Sequence, residues 1–110
     1  MPHVRIRGVQ KNQVMMISKE LIDSLSELVS CPRDHFTLEH ITSTFIVDGT
    51  EDAGYPFIEM HWFDRGPEIQ DKVATSLTQM IRRVTSDTTD IAVVFHKLIE
   101  RDYYENGEHF

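Results

Sequence analysis

The chain opens Met1-Pro2-His3, and a proline in second place raises a chemical question before a structural one. An internal proline nitrogen is an amide, with neither a proton nor basicity. Only at a chain terminus is it a secondary amine, able to act as general base or acid or as a nucleophile toward a carbonyl. A prolyl amine is normally too basic for such work near neutrality, but an apolar pocket and nearby cations disfavour its charged form. The other reading of Pro2 is an inert, frayed end. Arg65, in Trp62-Phe63-Asp64-Arg65-Gly66-Pro67, carries a guanidinium suited to a bidentate grip on a carboxylate. Its plain reading is a surface arginine in a turn. Arg7 precedes Gly8 as Arg65 precedes Gly66, and Arg5 and Arg7 share one strand face with His3, where solvated or interface charge accounts for them.

Other polar groups admit two readings each. Arg33 and Asp34 fall in Cys31-Pro32-Arg33-Asp34-His35-Phe36. Arg33 could oppose an anionic substrate, and Asp34 either takes part in chemistry or simply starts a strand. Tyr104 or Tyr103 could donate a hydrogen bond to a substrate oxygen; interface packing is the reading adopted for Tyr103 and Phe110. Glu39, Glu59 and His61 interrupt strands with groups that are costly to bury unpaired, so they form either a polar face between subunits or part of a pocket. His3, His61, His96 and His109 show no close metal-ligand spacing along the chain, so neither a zinc site nor any other metal or cofactor is expected.

These residues need a scaffold, and the composition bounds it. The 110 residues suit one domain, residues 1–110, with a modest core that assembly would help. A net charge of −7 argues against nucleic acid as a partner, which needs clustered Lys and Arg, but leaves room for a small anionic substrate in a local arginine pocket. No apolar run approaches the roughly 20 residues of a membrane span, and the first thirty residues do not read as a secretory signal. The single Cys31 excludes an internal disulfide framework and reads as a small apolar residue; a cytoplasmic setting is expected.

His3-Val4-Arg5-Ile6-Arg7 alternates like a half-buried strand and stops at Gly8. Between Gln10 and Ser30, Val14, Ile17, Leu21, Leu25 and Leu28 recur at helical spacing, with Met15, Ile22 and Val29 widening the stripe; Cys31-Pro32 closes the helix. Phe36 to Val47 predicts one long strand and Asp48 to Pro56 a loop. Phe57 to Phe63 is a strand with Ile58, Met60 and Trp62 on one face. Pro67 opens a second helix whose buried stripe is Ile69, Val73, Leu77, Met80, Ile81 and Val84. Ile91 to Ile99 reads as a strand buried on both faces, and Asn106-Gly107 as a hairpin turn in the tail. The result is a βαββαβ repeat in the α+β class. It has a four-stranded sheet, two helices on one face and a short C-terminal hairpin. Apolar residues on both sides of the strands predict an oligomer that covers the bare face.

Met1-Pro2-His3, Trp62-Phe63-Asp64-Arg65 and Tyr103-Tyr104-Glu105-Asn106-Gly107-Glu108-His109-Phe110 together resemble the tautomerase superfamily. That superfamily includes macrophage migration inhibitory factor, 4-oxalocrotonate tautomerase and malonate semialdehyde decarboxylase. The chain is similar over its whole length to a branch of short bacterial proteins. The resemblance implies loss of Met1, Pro2 as the amine that moves a proton, and a homotrimer with the C-terminal segment walling a neighbour's site. It also implies cofactor-free tautomerisation of a small enol or α-keto acid. Arg65 sits in a turn comparable to those where relatives carry substrate-binding arginines, Arg7 mirrors it in the repeat as a second substrate-binding candidate, and Asp34 resembles a water-activating aspartate of hydratase or decarboxylase variants. Cys31 stands where inhibitory-factor relatives carry a lysine. The rival readings are a non-catalytic binder of a small ligand or partner on the same fold, and a ferredoxin-like regulatory module.

Overall fold

Residues 1–110 are described by a computed structural model. Strand β1 (His3–Arg7) buries Val4 and Ile6 completely and leaves His3, Arg5 and Arg7 on its other face, as period-2 alternation requires. Helix α1 (Lys11–Val29) buries Val14, Ile17, Leu21, Leu25 and Val29 against it. Met15, expected to widen this stripe, is 67% exposed, because it lies one residue off the 3.6-residue period set by Val14 and Ile17. Ser30 ends the helix in a left-handed conformation (φ 56°), with Cys31 N donating to Ser26 O at 3.2 Å. A single 3₁₀ turn, Arg33–His35, leads into β2 (Thr37–His40), parallel to β1.

The second half repeats the first. Strand β5 (Phe57–Trp62) buries Ile58, Met60 and Trp62, helix α2 (Pro67–Arg82) buries Val73, Leu77 and Ile81, and β6 (Ala92–Lys97) returns parallel to β5. Antiparallel β1 and β5 join the halves, giving the order β2-β1-β5-β6. Both helices pack on the same face and touch through Ser24 and Ser76 (2.8 Å). Each fully buried aliphatic side chain contributes about 1.5–3 kcal/mol to this layer. The two Arg-Gly turns are equivalent: Gly8 (φ 79°) and Gly66 (φ 92°) both take backbone geometry that a side chain resists. At Gly8 a Cβ would also stand 2.1 Å from the Tyr55 carbonyl oxygen. No helix is long and apolar enough to cross a membrane.

Three expectations are corrected. The long strand Phe36–Val47 is broken. After Ile41 N donates to Ile6 O (2.8 Å), β1 has ended at Gly8 and offers nothing further to pair with. The chain instead forms a separate hairpin, β3 (Phe45–Val47) and β4 (Thr50–Asp52), inside what reads as loop. Asp48 and Gly49, both at positive φ (50° and 80°), make its two-residue turn. Strand β6 is an edge strand: Phe95 packs on Trp62 (5.2 Å between rings), while Val94 is exposed. The open face of the sheet is also far less apolar than expected. It carries His3, Arg5, Arg7, Glu39, Glu59, His61 and His96, with Phe57, Ala92 and Val94 as its apolar members. The tail hairpin forms as read, β7 (Tyr104–Glu105) and β8 (Glu108–His109) turning at Asn106-Gly107.

Candidate active site at the amino terminus

The parallel pairing of β1 with β2 fixes the start of the chain. Thr37 N donates to the Pro2 carbonyl at 3.1 Å, and Pro2 is buried rather than frayed. Around this anchored end lies a cleft of about 410 Å³ lined by Met1, His3, Thr37, His61, Leu98, Tyr103 and Glu105. Register explains the assembly: His3 stands opposite Thr37 on one side and His61 on the other. The His3 imidazole contacts the Thr37 hydroxyl through Nδ1 and reaches Glu39 Oε1 through Nε2 at 3.2 Å. Tyr103 is held from behind by Phe63 (5.4 Å) and Phe110 (4.8 Å), so the aromatic tail folds onto Phe63 of its own chain.

The electrostatics of the cleft favour neutral groups. Burial, the largest influence, lowers the basicity of the Met1 α-amine; Cys31 and Glu105 oppose it, and the positive charge of Arg65 adds to it. Burial, followed by the Glu105 carboxylate, raises the Tyr103 phenol above its ordinary value, so it stays a hydrogen-bond donor. Burial and the neighbouring His96 lower His61, with Glu59 acting the other way. An amine of lowered basicity beside a phenol that keeps its proton is a pair chemically able to move a proton.

The structure brings some candidate residues together and not others. Pro2 is buried between Met1 and His3, which line the cleft, and is not itself a lining residue. Arg65 is exposed and does not line the cleft, its Nη1 donating to Phe63 O at 2.8 Å, though its charge reaches the Met1 amine. Asp34 is exposed on the 3₁₀ turn and does not line the cleft. Arg33 is committed to α1, with Nε 2.6 Å from Asp23 Oδ1. Arg7 is at the far end of β1, with Nη2 3.5 Å from Glu59 Oε1, roughly 16 Å of strand away from Pro2. Tyr104 points outward, 54% exposed, its hydroxyl on Arg101. His3, Thr37 and Glu105 line the cleft without having been read as site residues, and so does Tyr103, the tyrosine for which interface packing was preferred over a donor role. The signal for Tyr103 and Glu105 was alternation: two positions on one side of a hairpin strand share a face. His61 and His96, far apart in sequence, are paired across β5 and β6, and their Nε2 atoms lie 3.5 and 3.6 Å from Glu59 Oε2. A second depression of about 390 Å³ near Gly8 and Phe45 has no comparable set of groups; its histidine, His40, is bound to the Val9 carbonyl at 2.6 Å.

Comparison with known proteins agrees with this geometry. Residues 1–109 match the family described as a domain of unknown function, DUF1904. A DUF1904 crystal structure from Sebaldella termitidis is 44% identical over the whole of both chains, with a TM-score of 0.93. A macrophage migration inhibitory factor-like protein from Entamoeba histolytica aligns over 99% of this chain and 98% of its own, with a TM-score of 0.77 and 16% identity. Pt0534, whose structure was determined after inactivation by 2-oxo-3-pentynoate, aligns over 96% and 92% with a TM-score of 0.73 and 11% identity. No curated protein sequence matches the chain. The chain belongs to the DUF1904 family, and its fold is that of the tautomerase superfamily.

Proposed function

We propose that this protein is a cofactor-independent tautomerase for a small enol or α-keto acid, working after loss of Met1 with the Pro2 amine as general base and acid. The observation that carries the reading is the anchored amino terminus beside the cleft: burial and Arg65 lower the basicity of the Met1 amine, and the Pro2 nitrogen, one residue along, would meet similar surroundings once Met1 is lost. In its neutral form the amine accepts the enol proton, or one from the carbon next to the carbonyl. It then returns that proton at the other position, and the Tyr103 phenol donates to the oxygen on which charge builds. Arg65, whose charge reaches the amino terminus, would hold a substrate carboxylate. Pt0534 is inactivated by an α-keto acid, which fits the substrate class.

We also propose a homotrimer. The chain exposes 7061 Å², where a compact monomer of its mass exposes roughly 6,300 Å². The function is tested by following ketonisation of phenylenolpyruvate with protein whose mass shows loss of Met1. Pro2→Ala is expected to lower the rate about 10²–10⁴-fold. A wild-type rate equal to buffer, or one unchanged in the variant, overturns the tautomerase reading and leaves the non-catalytic binder in its place.

A further inference from the structure

The open face of the sheet holds a second constellation that proton transfer at Pro2 does not use. Glu59 and His61 sit two residues apart on one face of β5, and the parallel register sets His96 opposite His61. His61 Nε2 and His96 Nε2 converge on the same oxygen, Glu59 Oε2, at 3.5 and 3.6 Å. All three donor atoms lie within 4.8 Å of one another. The two imidazoles stack at 4.4 Å and 11°, so taking one ion through both nitrogens needs the half-exposed His96 ring to rotate out of the stack. His61 Nε2 is shut off from solvent and has no hydrogen-bond partner, the 3.5 Å approach to Glu59 being too long for one. A buried nitrogen lone pair or N–H left in that state is costly.

We propose that Glu59, His61 and His96 form a binding site for a divalent transition-metal ion, with zinc the best fit and a fourth position open to water or an oxygen ligand. Zinc bound to nitrogen and oxygen at about 2.0–2.2 Å in tetrahedral geometry sets its donors roughly 3.3–3.5 Å apart. The two Glu59–histidine separations meet that edge with a contraction of at most about 0.3 Å, while the histidine nitrogens, within 4.8 Å, draw closer as they take the ion. Two imidazoles and one carboxylate select zinc and its neighbours over magnesium or calcium, which take oxygen donors. The outer oxygen, Glu59 Oε1, already faces Arg7 Nη2 at 3.5 Å, an outer-shell contact that leaves Oε2 for the ion. Arg5 Nη1, 3.8 Å from Oε2, is the competing cation, but Arg5 has a closer partner in Glu39 at 2.9 Å and keeps that pair if it gives way. His3 is occupied by Thr37 and Glu39 and lies outside the set, its ring 6.2 Å from that of His61. His61 belongs to both the cleft and this set, so an ion here sits behind the cleft wall. The site stands whether or not Pro2 is a base.

The test is a zinc titration of chelator-stripped, full-length protein in competition with a chromogenic chelator, with cobalt as a spectroscopic reporter. One ion per chain is expected, with the intense visible bands of four-coordinate cobalt. His96→Ala and Glu59→Gln are each expected to weaken zinc binding about tenfold or more, and His109→Ala, in the tail, to leave it unchanged. The half-exposed His96 can be shortened without disturbing the core, so its variant decides the matter even if Glu59→Gln fails to fold. Absence of stoichiometric binding overturns the site, as does binding that persists in His96→Ala or disappears in His109→Ala.

Discussion

Two adjacent tyrosines give the sharpest test of the cleft. Tyr103 lines it and Tyr104 does not, although both were available to the sequence reading as donors. Tyr103→Phe removes one hydroxyl and keeps the ring, whose contacts with Phe63 at 5.4 Å and Phe110 at 4.8 Å hold the tail in place. Folding stability should therefore change by less than about 1 kcal/mol, because no packed surface is lost. Catalysis should change much more. A hydrogen bond to a charged oxygen contributes about 1.5–3 kcal/mol, equivalent to roughly 10–150-fold in kcat/KM when the charge develops in the transition state. Burial and Glu105 hold the Tyr103 phenol above its ordinary value, so the loss should appear across the neutral range. Tyr104→Phe, which removes only an outward hydroxyl on Arg101, should change kcat/KM less than about 2-fold, since surface substitutions of this kind stay within about 0.5 kcal/mol. Steady-state ketonisation of phenylenolpyruvate by the two variants, with urea unfolding beside it, decides the question. A larger loss in Tyr104→Phe than in Tyr103→Phe would refute the assignment of the donor.

The pH dependence offers a second check. The kcat/KM profile should rise with pH as the terminal amine loses its proton. Glu105→Gln, which removes a negative charge that favours the ammonium form, should move that limb to lower pH. Arg65→Ala should move it to higher pH, besides raising KM; limbs that stay put in both variants would separate the amine from catalysis. Assembly is checked by sedimentation of the native protein, where three copies are expected and a monomer or dimer would remove the trimer.

Most of the scaffold was legible because it follows from local periodicity. Val4 and Ile6 in β1, the α1 stripe and the Ile58-Met60-Trp62 triplet each repeat with the period of their element, and the buried set reproduces them. The break after His40 was not legible, because Thr37 to Val47 has strand composition throughout. Only the length of β1 dictates where its partner must stop. The Asp48-Gly49 turn carried its own hairpin signal, hidden in a polar stretch that lacks the alternating apolar flanks usually beside it. The site divides along the same line. Pro2 and Arg65 were singled out through short motifs, whereas His61, His96 and Thr37 come together only through register between strands that are distant in sequence. A count of spacing along the chain cannot see a pair such as His61 and His96. The face on which each lies can be read, but the strand opposite cannot.

The character of the open face also constrains how copies could assemble. A sheet face bearing Arg5, Arg7, Glu39 and Glu59 cannot be covered by plain apolar packing, since removing paired charges from water costs as much as, or more than, their attraction returns. Contacts between copies should therefore leave this face hydrated and draw their apolar area from its borders. Exposed apolar groups outside the helices are available for this: Val94 on the edge strand β6, Ile99 just beyond it, and Ile46 and Val47 on the β3–β4 hairpin. A closed ring built edge to edge uses such groups, satisfies the unpaired backbone of β2 and β6, and keeps water on a shared inner surface. It would also set several copies of the Glu59-His61-His96 cluster around one enclosed, polar space. Ile99→Asp should then shift the sedimenting species toward the monomer while leaving the buried core of each chain intact.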